Sequence, residues 1–169
     1  MNRGSFKFLG FGMGKGKNGK FLIYAHKKSK QKFKTKLKEK TSRSRPGKFL
    51  SICSELKRVI IGWLNYYGIA AMKSWIGEMD GWLRSRMRMI IWKRWKKPKT
   101  KFRKLVHLGV PRKYAYMAAH TRRGYWFTVH TDAVLRALSN EKLDAWGFPN
   151  LAKAYERIHS KPVQLQFVF

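Results

Sequence analysis

Acidic residues are scarce in this sequence. Its 169 residues include 8 Asp and Glu against 39 Lys and Arg, which gives a formal net charge of +31 at pH 7. A two-metal polymerase or nuclease needs several carboxylates that converge on Mg²⁺, whereas these eight are scattered over separate segments. The five histidines show no metal-ligand spacing either. The sequence therefore predicts no catalytic residues, no metal site, no cofactor and no enzymatic activity.

Cysteine and long apolar runs are also rare. The single cysteine, Cys53, excludes an intramolecular disulfide and any multi-cysteine zinc site, and its place on the apolar face of a predicted helix indicates an inert core thiol. The apolar runs, such as residues 59–64 and 89–92, are too short for a membrane span. Residues 1–17 lack the apolar stretch of a signal peptide. We expect a cytoplasmic protein with no membrane partner.

Hydrophobic residues, in contrast, are plentiful. They make up 44% of the chain, and aromatic residues make up 15%, which is more than a disordered basic tail contains. The sequence therefore predicts a folded domain with a strongly positive surface. Because such a surface repels itself unless a partner supplies negative charge, the composition favours a polyanion, above all nucleic acid, as the partner.

Local patterns predict a mainly helical α+β fold with an N-terminal β-hairpin. Residues 6–11 and 20–25 are its two predicted strands, joined by a basic glycine-rich loop. A cationic helix with a thin apolar seam follows over 26–45. The spacing then predicts a helix over 49–67 that Gly68 ends, and a second long helix from Ser74, as its N-cap, to about residue 96. Short helices are predicted at 100–108, 111–119, 131–138, 140–146 and 149–158, with a structured loop over 121–130.

The glycine-rich loop is only superficially similar to a phosphate-binding loop. Residues 14–21, GKGKNGKF, nearly match the pattern G-x-x-x-x-G-K-[ST]. Phe21, however, stands where a magnesium-binding hydroxyl is required, and a strand follows where the motif requires a helix. The sequence therefore argues against an NTPase site and favours a hairpin tip whose lysines contact phosphates.

The basic clusters form the predicted RNA-binding surface. A charge run on an ordinary solvated face is accompanied by acidic partners, and here those partners are missing. Trp92 and Trp95, which stand among basic residues, are the rings predicted to stack on unpaired bases. The full set of predicted RNA-binding residues is Lys28, Lys30, Lys32, Lys34, Lys36, Lys38, Arg84, Arg88, Trp92, Lys93, Trp95, Lys96, Lys97, Arg122 and Arg123.

Arg86 is the most unusual charged residue. The apolar arc of the second long helix leaves Arg84, Arg88 and Trp92 on its opposite side, whereas Arg86 projects into the arc itself. Burial of a guanidinium is costly unless it is paired. We therefore expect a carboxylate or backbone carbonyls from another helix beside Arg86. The available carboxylates are those of Asp80 and Glu55.

Six motifs stand in a fixed order along the chain. They are FKFLGF at 6–11, GWLNYY at 62–67, DGWLRSRMRMIIWKRWKK at 80–97, LGVP at 108–111, GYW at 124–126 and NEKLDAWG at 140–147. In order and spacing they resemble the C-terminal part of bacterial group II intron reverse transcriptases, which also act as splicing maturases. The resemblance extends from about residue 6 to about residue 155.

The resemblance implies three parts: the last β-hairpin of the polymerase palm at 1–25, a helical thumb and maturase-specific domain at 26–158, and a tail at 159–169. It implies that the protein binds structured group II intron RNA and assists splicing, while the RNA itself performs the transesterifications. The family's palm motif, a Tyr and Ala followed by paired aspartates, has no counterpart here. The resemblance therefore implies a truncated reverse transcriptase without polymerase activity: the remnant of a decayed mobile element, a fragmentary reading frame or a stand-alone RNA-binding piece.

A second interpretation explains the same charge. A non-specific basic nucleic-acid-binding protein, similar to an RNA chaperone and able to bind DNA non-specifically, would have no preference for intron RNA. It predicts equal affinity for unrelated RNAs and a steep loss of binding as salt rises. The ordered motifs favour the maturase interpretation.

Overall fold

A three-stranded antiparallel sheet opens the computed structural model, which describes residues 6–15, 19 and 21–159. Strands β1 (Phe6–Phe8), β2 (Phe11–Lys15) and β3 (Phe21–Ala25) are adjacent in that order. The predicted single strand over 6–11 is wrong, because the chain reverses at Leu9 and Gly10, whose φ angles are +48° and +84°. Part of the predicted glycine-rich loop is thus the central strand. The predicted tail, apart from His159, lies outside the described residues.

Two long helices and a cationic one form the main core. Helix α1 (Lys27–Lys40) buries only Phe33 and Leu37, as expected of a helix with a thin apolar seam. Helix α2 (Phe49–Tyr67) buries one regular stripe: Ile52, Cys53, Leu56, Ile60 and Leu64. The predicted apolar face of α2 is therefore confirmed, since its spacing of three and four residues matches the helical repeat.

Helix α3 (Lys73–Arg94) packs against both cores of the protein. Its N-cap is Met72, which makes no side-chain capping hydrogen bond, so the predicted cap at Ser74 is wrong. One side of α3 contributes to the core shared with α1 and α2. The other side, including Met89 and Trp92, contributes to a second core. A helix placed between two cores buries residues all round, and a single apolar arc does not describe it.

Short helices complete the fold: α4 (Pro98–His107), α5 (Arg112–Ala119), α6 (Tyr125–Thr128), α7 (Asp132–Ala137), α8 (Asn140–Ala145) and α9 (Leu151–His159). The turn α6 lies within the segment predicted as a loop. Gly109 and Gly147, at φ +92° and +89°, end α4 and α8 with paired backbone hydrogen bonds back to the last helical turn, the Schellman arrangement. The helix predicted over 100–108 thus ends within one residue of its predicted end.

Gly68 follows α2 for a different reason from the one predicted. Its φ of −64° is helical, so no left-handed conformation requires glycine there. A Cβ on Gly68 would instead collide with the carbonyl oxygen of Leu64 and lie 2.7 Å from Cγ2 of Ile158 on α9. The glycine thus permits a close approach of α9 to the end of α2. None of the helices within the described ranges is long and apolar enough to cross a membrane.

Candidate nucleic-acid interface

A basic groove runs between α1 and α2. Its cavity volume is about 800 Å³. Lys28, Lys32 and Lys36 line it from α1, and Arg58 lines it from α2. The three lysines are four residues apart, so they share one face of the helix. Among the described residues that line this groove none is acidic. The α1–α2 groove is therefore a concave surface with four cations and no internal counter-charge.

Aromatic packing sets the floor of the groove. Phe33 of α1 stacks on Trp63 of α2 with ring centroids 4.3 Å apart, and Trp63 stacks on Tyr67 at 4.7 Å. Offset stacking of this kind adds to the burial of the rings. Because Phe33 on α1 stacks on Trp63 of α2, this contact fixes the position of the lysines of α1 relative to Arg58 of α2.

The turn between β1 and β2 closes one end of the groove. The carbonyl of Gly10 accepts hydrogen bonds from the backbone N–H of His26 at 2.9 Å and from Oγ of Ser29 at 3.1 Å. The hydroxyl of Tyr66 donates to the carbonyl of Leu9 at 3.0 Å. The N-terminal sheet is therefore anchored on both helices, and its turn forms part of the groove wall.

The other predicted lysines of α1 point away from the groove. Nζ of Lys30 lies 5.1 Å from the ring centroid of Trp75, and Nζ of Lys34 lies 5.4 Å from that of Trp82, distances typical of cation–π contacts. Burial lowers the pKa of Lys30, and the nearby carboxylate of Glu78 only partly offsets this. These two lysines therefore face α3, separate from the row formed by Lys28, Lys32 and Lys36. Lys38 lies near the end of α1, beside a shallow pocket that Arg43 also lines.

Arg84 is buried, contrary to the surface position predicted for it. It is only 4% exposed. Its Nε donates to Oδ2 of Asp80 at 2.7 Å, and its Nη1 lies 2.8 Å from Oδ1 of Asp144. Burial opposes the charged form, but the hydrogen bonds with Asp144 and Asp80 outweigh it and raise the pKa of Arg84. Arg84 therefore joins α3 to α8 within the protein and is not available to RNA in this fold.

Arg88 and Trp92 were also predicted to contact RNA. Their side chains are likewise buried, at 6% and 3% exposure. Nε of Arg88 donates to the carbonyl of Leu138, and its Nη2 donates to Oδ1 of Asn140, both at 2.8 Å. Burial and the neighbouring charge of Arg84 lower the pKa of Arg88. Trp92 belongs to the second core. These residues hold the helices together, and we leave them out of the interface.

Arg86 confirms the expectation of carbonyl partners. Its Nη2 donates to the carbonyls of Thr41 and Lys38 at 2.8 and 3.1 Å, and its Nε donates to Oγ1 of Thr41 at 2.7 Å. The two carboxylates considered for it have other partners. Asp80 binds Arg84, and Glu55 binds Lys40 and Arg45. Arg86 therefore donates hydrogen bonds to backbone carbonyls at the C-terminal end of α1, where the helix dipole favours a cation.

The remaining predicted residues lie at two other places. At the end of α3, Nζ of Lys93 donates to Oγ of Ser44 at 2.6 Å and so contacts the linker between α1 and α2. Half-buried Trp95 lines an apolar pocket, and Lys96 and Lys97 are exposed. Arg122 and Arg123 are exposed between α5 and α6. The structure thus brings together only part of the predicted set, in the α1–α2 groove.

Sequence reasoning missed Arg58, which the structure adds to the groove. Arg58 stands outside the buried stripe of α2, one helical turn before Gly62, which also lines the groove. Residues four apart on a helix share a face, and glycine leaves that face open. A basic residue outside the apolar stripe, followed at this spacing by glycine, is the signal that could have identified it.

Catalytic or metal chemistry finds no support in the described ranges. They contain no group of three or more His, Cys, Asp or Glu side chains that could hold a metal ion. Burial raises the pKa of the Cys53 thiol to about 11, so the thiol stays protonated near neutral pH and is a poor nucleophile. What this arrangement can do is bind anions.

A comparison with protein-family models identifies residues 30–109 as matching the group II intron, maturase-specific domain. The matched segment contains most of α1, all of α2 and α3, and α4, and therefore most of the groove. A search of curated proteins found no match. The maturase-specific domain is not a polymerase catalytic domain, and it indicates a role in group II intron splicing. The match covers just under half of the chain, and it is to the family that the sequence motifs predicted.

Proposed function

We propose that this protein binds structured group II intron RNA through the α1–α2 groove and thereby assists intron splicing. The observation that carries the proposal is the row of Lys28, Lys32 and Lys36 opposite Arg58, without an acidic residue among the described lining. The groove belongs mainly to the segment that matches the maturase-specific domain. The protein supplies binding and positioning, and the intron RNA supplies the chemistry.

Phosphate contacts explain the spacing of the row. A helix rises about 1.5 Å per residue, so the three lysines span about 12 Å along α1. A row of this length contacts several phosphates of one RNA backbone. Such contacts fix the register of an RNA and carry little sequence information. Preference for intron RNA therefore arises from the shape of the folded RNA that fits the groove.

The test of the groove is a triple variant, Lys28→Gln, Lys32→Gln and Lys36→Gln, measured for binding to a group II intron RNA over a range of salt concentrations. We expect weaker binding and a salt slope smaller by about 2 to 3, since each lost phosphate contact removes about 0.7–0.9 from it. The matched control is Lys57→Gln, Lys73→Gln and Lys153→Gln, which removes the same charge from exposed positions outside the groove lining. Equal losses of RNA affinity in the two variants would refute the proposal that RNA binds in the groove.

Specificity for intron RNA distinguishes the proposed maturase function from non-specific binding of nucleic acid by a basic protein. We expect wild-type protein to bind the intron RNA more tightly than a length-matched unrelated RNA at moderate salt. It should also increase the fraction of intron RNA that splices, whereas the groove variant should not. Equal affinity for the two RNAs, with no effect on splicing, would favour the non-specific interpretation and overturn the maturase function.

A further inference from the structure

Helix α5 has an inverted apolar pattern. It buries three alanines, Ala115, Ala118 and Ala119, and exposes much larger apolar side chains. Tyr114, Tyr116 and Met117 on α5, with Trp126 and Phe127 on α6, are 47 to 62% exposed. Packing alone would place the large residues inside and the small ones outside. Large apolar side chains exposed on two consecutive helices are typical of a binding surface. We name these five residues the α5–α6 aromatic face.

The charges around this face restrict its partner. Residues 81–131 contain 15 Lys and Arg and no Asp or Glu. Four of these cations, Arg112, Lys113, Arg122 and Arg123, belong to α5 and to the linker that follows it, and the structure describes all four as exposed. Aromatic rings among cations, without an acid in the segment, complement a ligand that has both flat apolar faces and negative charge.

Neighbouring side chains contact three of these rings, with the two histidine rings tilted against their partners. The guanidinium of Arg123 lies 4.3 Å from the ring centroid of Phe127. The ring of Tyr116 lies 4.1 Å from that of His120, and the ring of Trp126 lies 4.7 Å from that of His130. In both pairs the histidine Nδ1 lies within hydrogen-bond distance of a helical carbonyl, which orients the imidazole. The rings are thus held in place while remaining about half exposed.

We propose that the α5–α6 aromatic face binds unpaired nucleobases of RNA by stacking, with the neighbouring arginines and lysine on the adjacent phosphates. Exposed aromatic rings in a basic setting are the usual platform for single-stranded nucleic acid. The inference extends the proposed function and rests on it: the groove holds backbone phosphates, and this face holds a single-stranded loop or junction. Trp92, predicted as a stacking ring, is buried, and Trp126 and Tyr116 take its role.

The α1–α2 linker connects the end of α1 with α6. The guanidinium of Arg43 in this linker lies 5.0 Å from the ring centroid of Tyr125, the first residue of α6. Arg43 also lines the shallow pocket beside Lys38 at the end of α1. Lys38 and Arg43 therefore extend the basic residues from the end of α1 to α6, with the acid Glu39 also lining this pocket. One RNA can contact both surfaces by following them.

The test uses the full chain and two RNA probes: a single-stranded oligoribonucleotide that contains 2-aminopurine, and an RNA duplex of the same length. The double variant Tyr116→Leu, Trp126→Leu removes two rings and keeps apolar side chains. We expect it to bind the single strand about tenfold or more weakly and to lose the fluorescence quenching that stacking causes. Its affinity for the duplex and the slope of its salt dependence should stay nearly unchanged.

The control is Trp146→Leu, which removes another partly exposed ring, 37% exposed, at the end of α8. We expect it to leave single-strand binding unchanged. Ultraviolet crosslinking of wild-type protein to the single strand gives a readout independent of variant stability. Crosslinked peptides from residues 112–130 would support the proposal. Their absence, or equal losses from the double variant and the control, would overturn it.

Two further outcomes separate this inference from the proposed function. If the lysine variant of the groove weakens intron RNA binding while the double variant binds the single strand as wild type does, the inference fails and the proposed function stands. If the double variant loses single-strand binding and the groove variant loses nothing, the groove proposal fails. Loss of binding to anionic phospholipid vesicles in the double variant, with unchanged binding to RNA, would assign the face to membranes and refute the inference.

Discussion

Gly10 is the residue on which the attachment of the N-terminal sheet depends. At φ +84°, its backbone is in the left-handed region, and a Cβ there would lie 2.5 Å from Oη of Tyr67 and 3.0 Å from Oγ of Ser29. Replacement by alanine therefore introduces backbone strain and also displaces Tyr67 from the end of the groove. We expect Gly10→Ala to lower the free energy of unfolding by about 1–3 kcal/mol, as measured by urea denaturation.

Gly47→Ala is the matched control for this prediction. Gly47 has φ +104°, but no atom in the described part of the chain lies within 4 Å of its added Cβ. Its replacement should introduce only the strain, about 1 kcal/mol. A loss in Gly10→Ala no larger than the loss in Gly47→Ala would contradict the role of the contact with Tyr67.

Individual residues were predictable from the sequence where one helix face decides their environment. The buried stripe of α2 and the carbonyl partners of Arg86 follow from helical spacing and from the cost of burying a guanidinium. The positions of Arg84 and Arg88 do not. The spacing within α3 contains no information about partners far along the chain, and both side chains are buried against such partners: Asp144 for Arg84, and Leu138 and Asn140 for Arg88.

At the scale of helices, the ion pairs of Arg84 connect α3 to α8 and, through Asp80, to the start of α9. Oδ1 of Asp80 accepts a hydrogen bond from the backbone N–H of Leu151 at 2.8 Å, so one acid serves two elements. Asp144 completes the cluster and accepts a further hydrogen bond from Asn150 at 3.2 Å. The acids that are scarce in this sequence are thus used to fix helices, and not to neutralise the lysines of the groove.

Asp144 makes stability depend on acid pH. Burial acts to raise the pKa of its carboxyl, but the hydrogen bonds from Arg84 and Asn150 outweigh this and lower the pKa below its ordinary value. Because the folded pKa is depressed, the carboxylate stabilises the fold above about pH 4, the ordinary aspartate pKa. That stabilisation is lost as the pH falls through the folded pKa.

The variant Asp144→Asn tests this contribution. We expect it to lower the free energy of unfolding at pH 7 by about 1–3 kcal/mol, because it removes a charged partner from buried Arg84. It should also lose less stability than wild type between pH 7 and pH 3. Glu39→Gln, a change at an exposed position of α1, should alter stability by less than about 0.5 kcal/mol. A wild-type pH profile in Asp144→Asn would contradict the linkage.

The positions of the helices along the chain were more predictable than the way in which the helices pack on one another. Gly109 sets the local backbone conformation, so the end of α4 was predicted to within one residue, whereas its start was predicted at residue 100 and lies at Pro98. The turn at Leu9 and Gly10 was missed, because the short aromatic run around it gives the period of a strand and no clear sign of reversal. The groove was half predictable: the lysine row on α1 is visible in the sequence, whereas its closeness to Arg58 depends on how α1 packs on α2.

The whole molecule combines a net charge of +31 with internal ion pairs that use several of its acids. Glu55 binds Lys40 and Arg45, and Asp80 and Asp144 bind Arg84. No ion pair joins Lys28, Lys32 or Lys36 to an acid within the described ranges. Because exposed lysines at this density repel one another, the free protein is less stable than its packing alone would allow. Phosphates that enter the groove relieve that repulsion.

Salt dependence of thermal unfolding tests this view of the whole molecule. The Debye length falls from about 30 Å at 0.01 M to about 8 Å at 0.15 M salt, so added NaCl should raise the Tm of the free protein by screening the lysines. Bound RNA should raise Tm at low salt, since it binds only the folded state, and this gain should shrink as salt weakens the phosphate contacts. Potassium glutamate at equal ionic strength is the control for ion-specific binding. A Tm of the free protein that stays constant or falls between these salt concentrations would show that self-repulsion does not limit its stability.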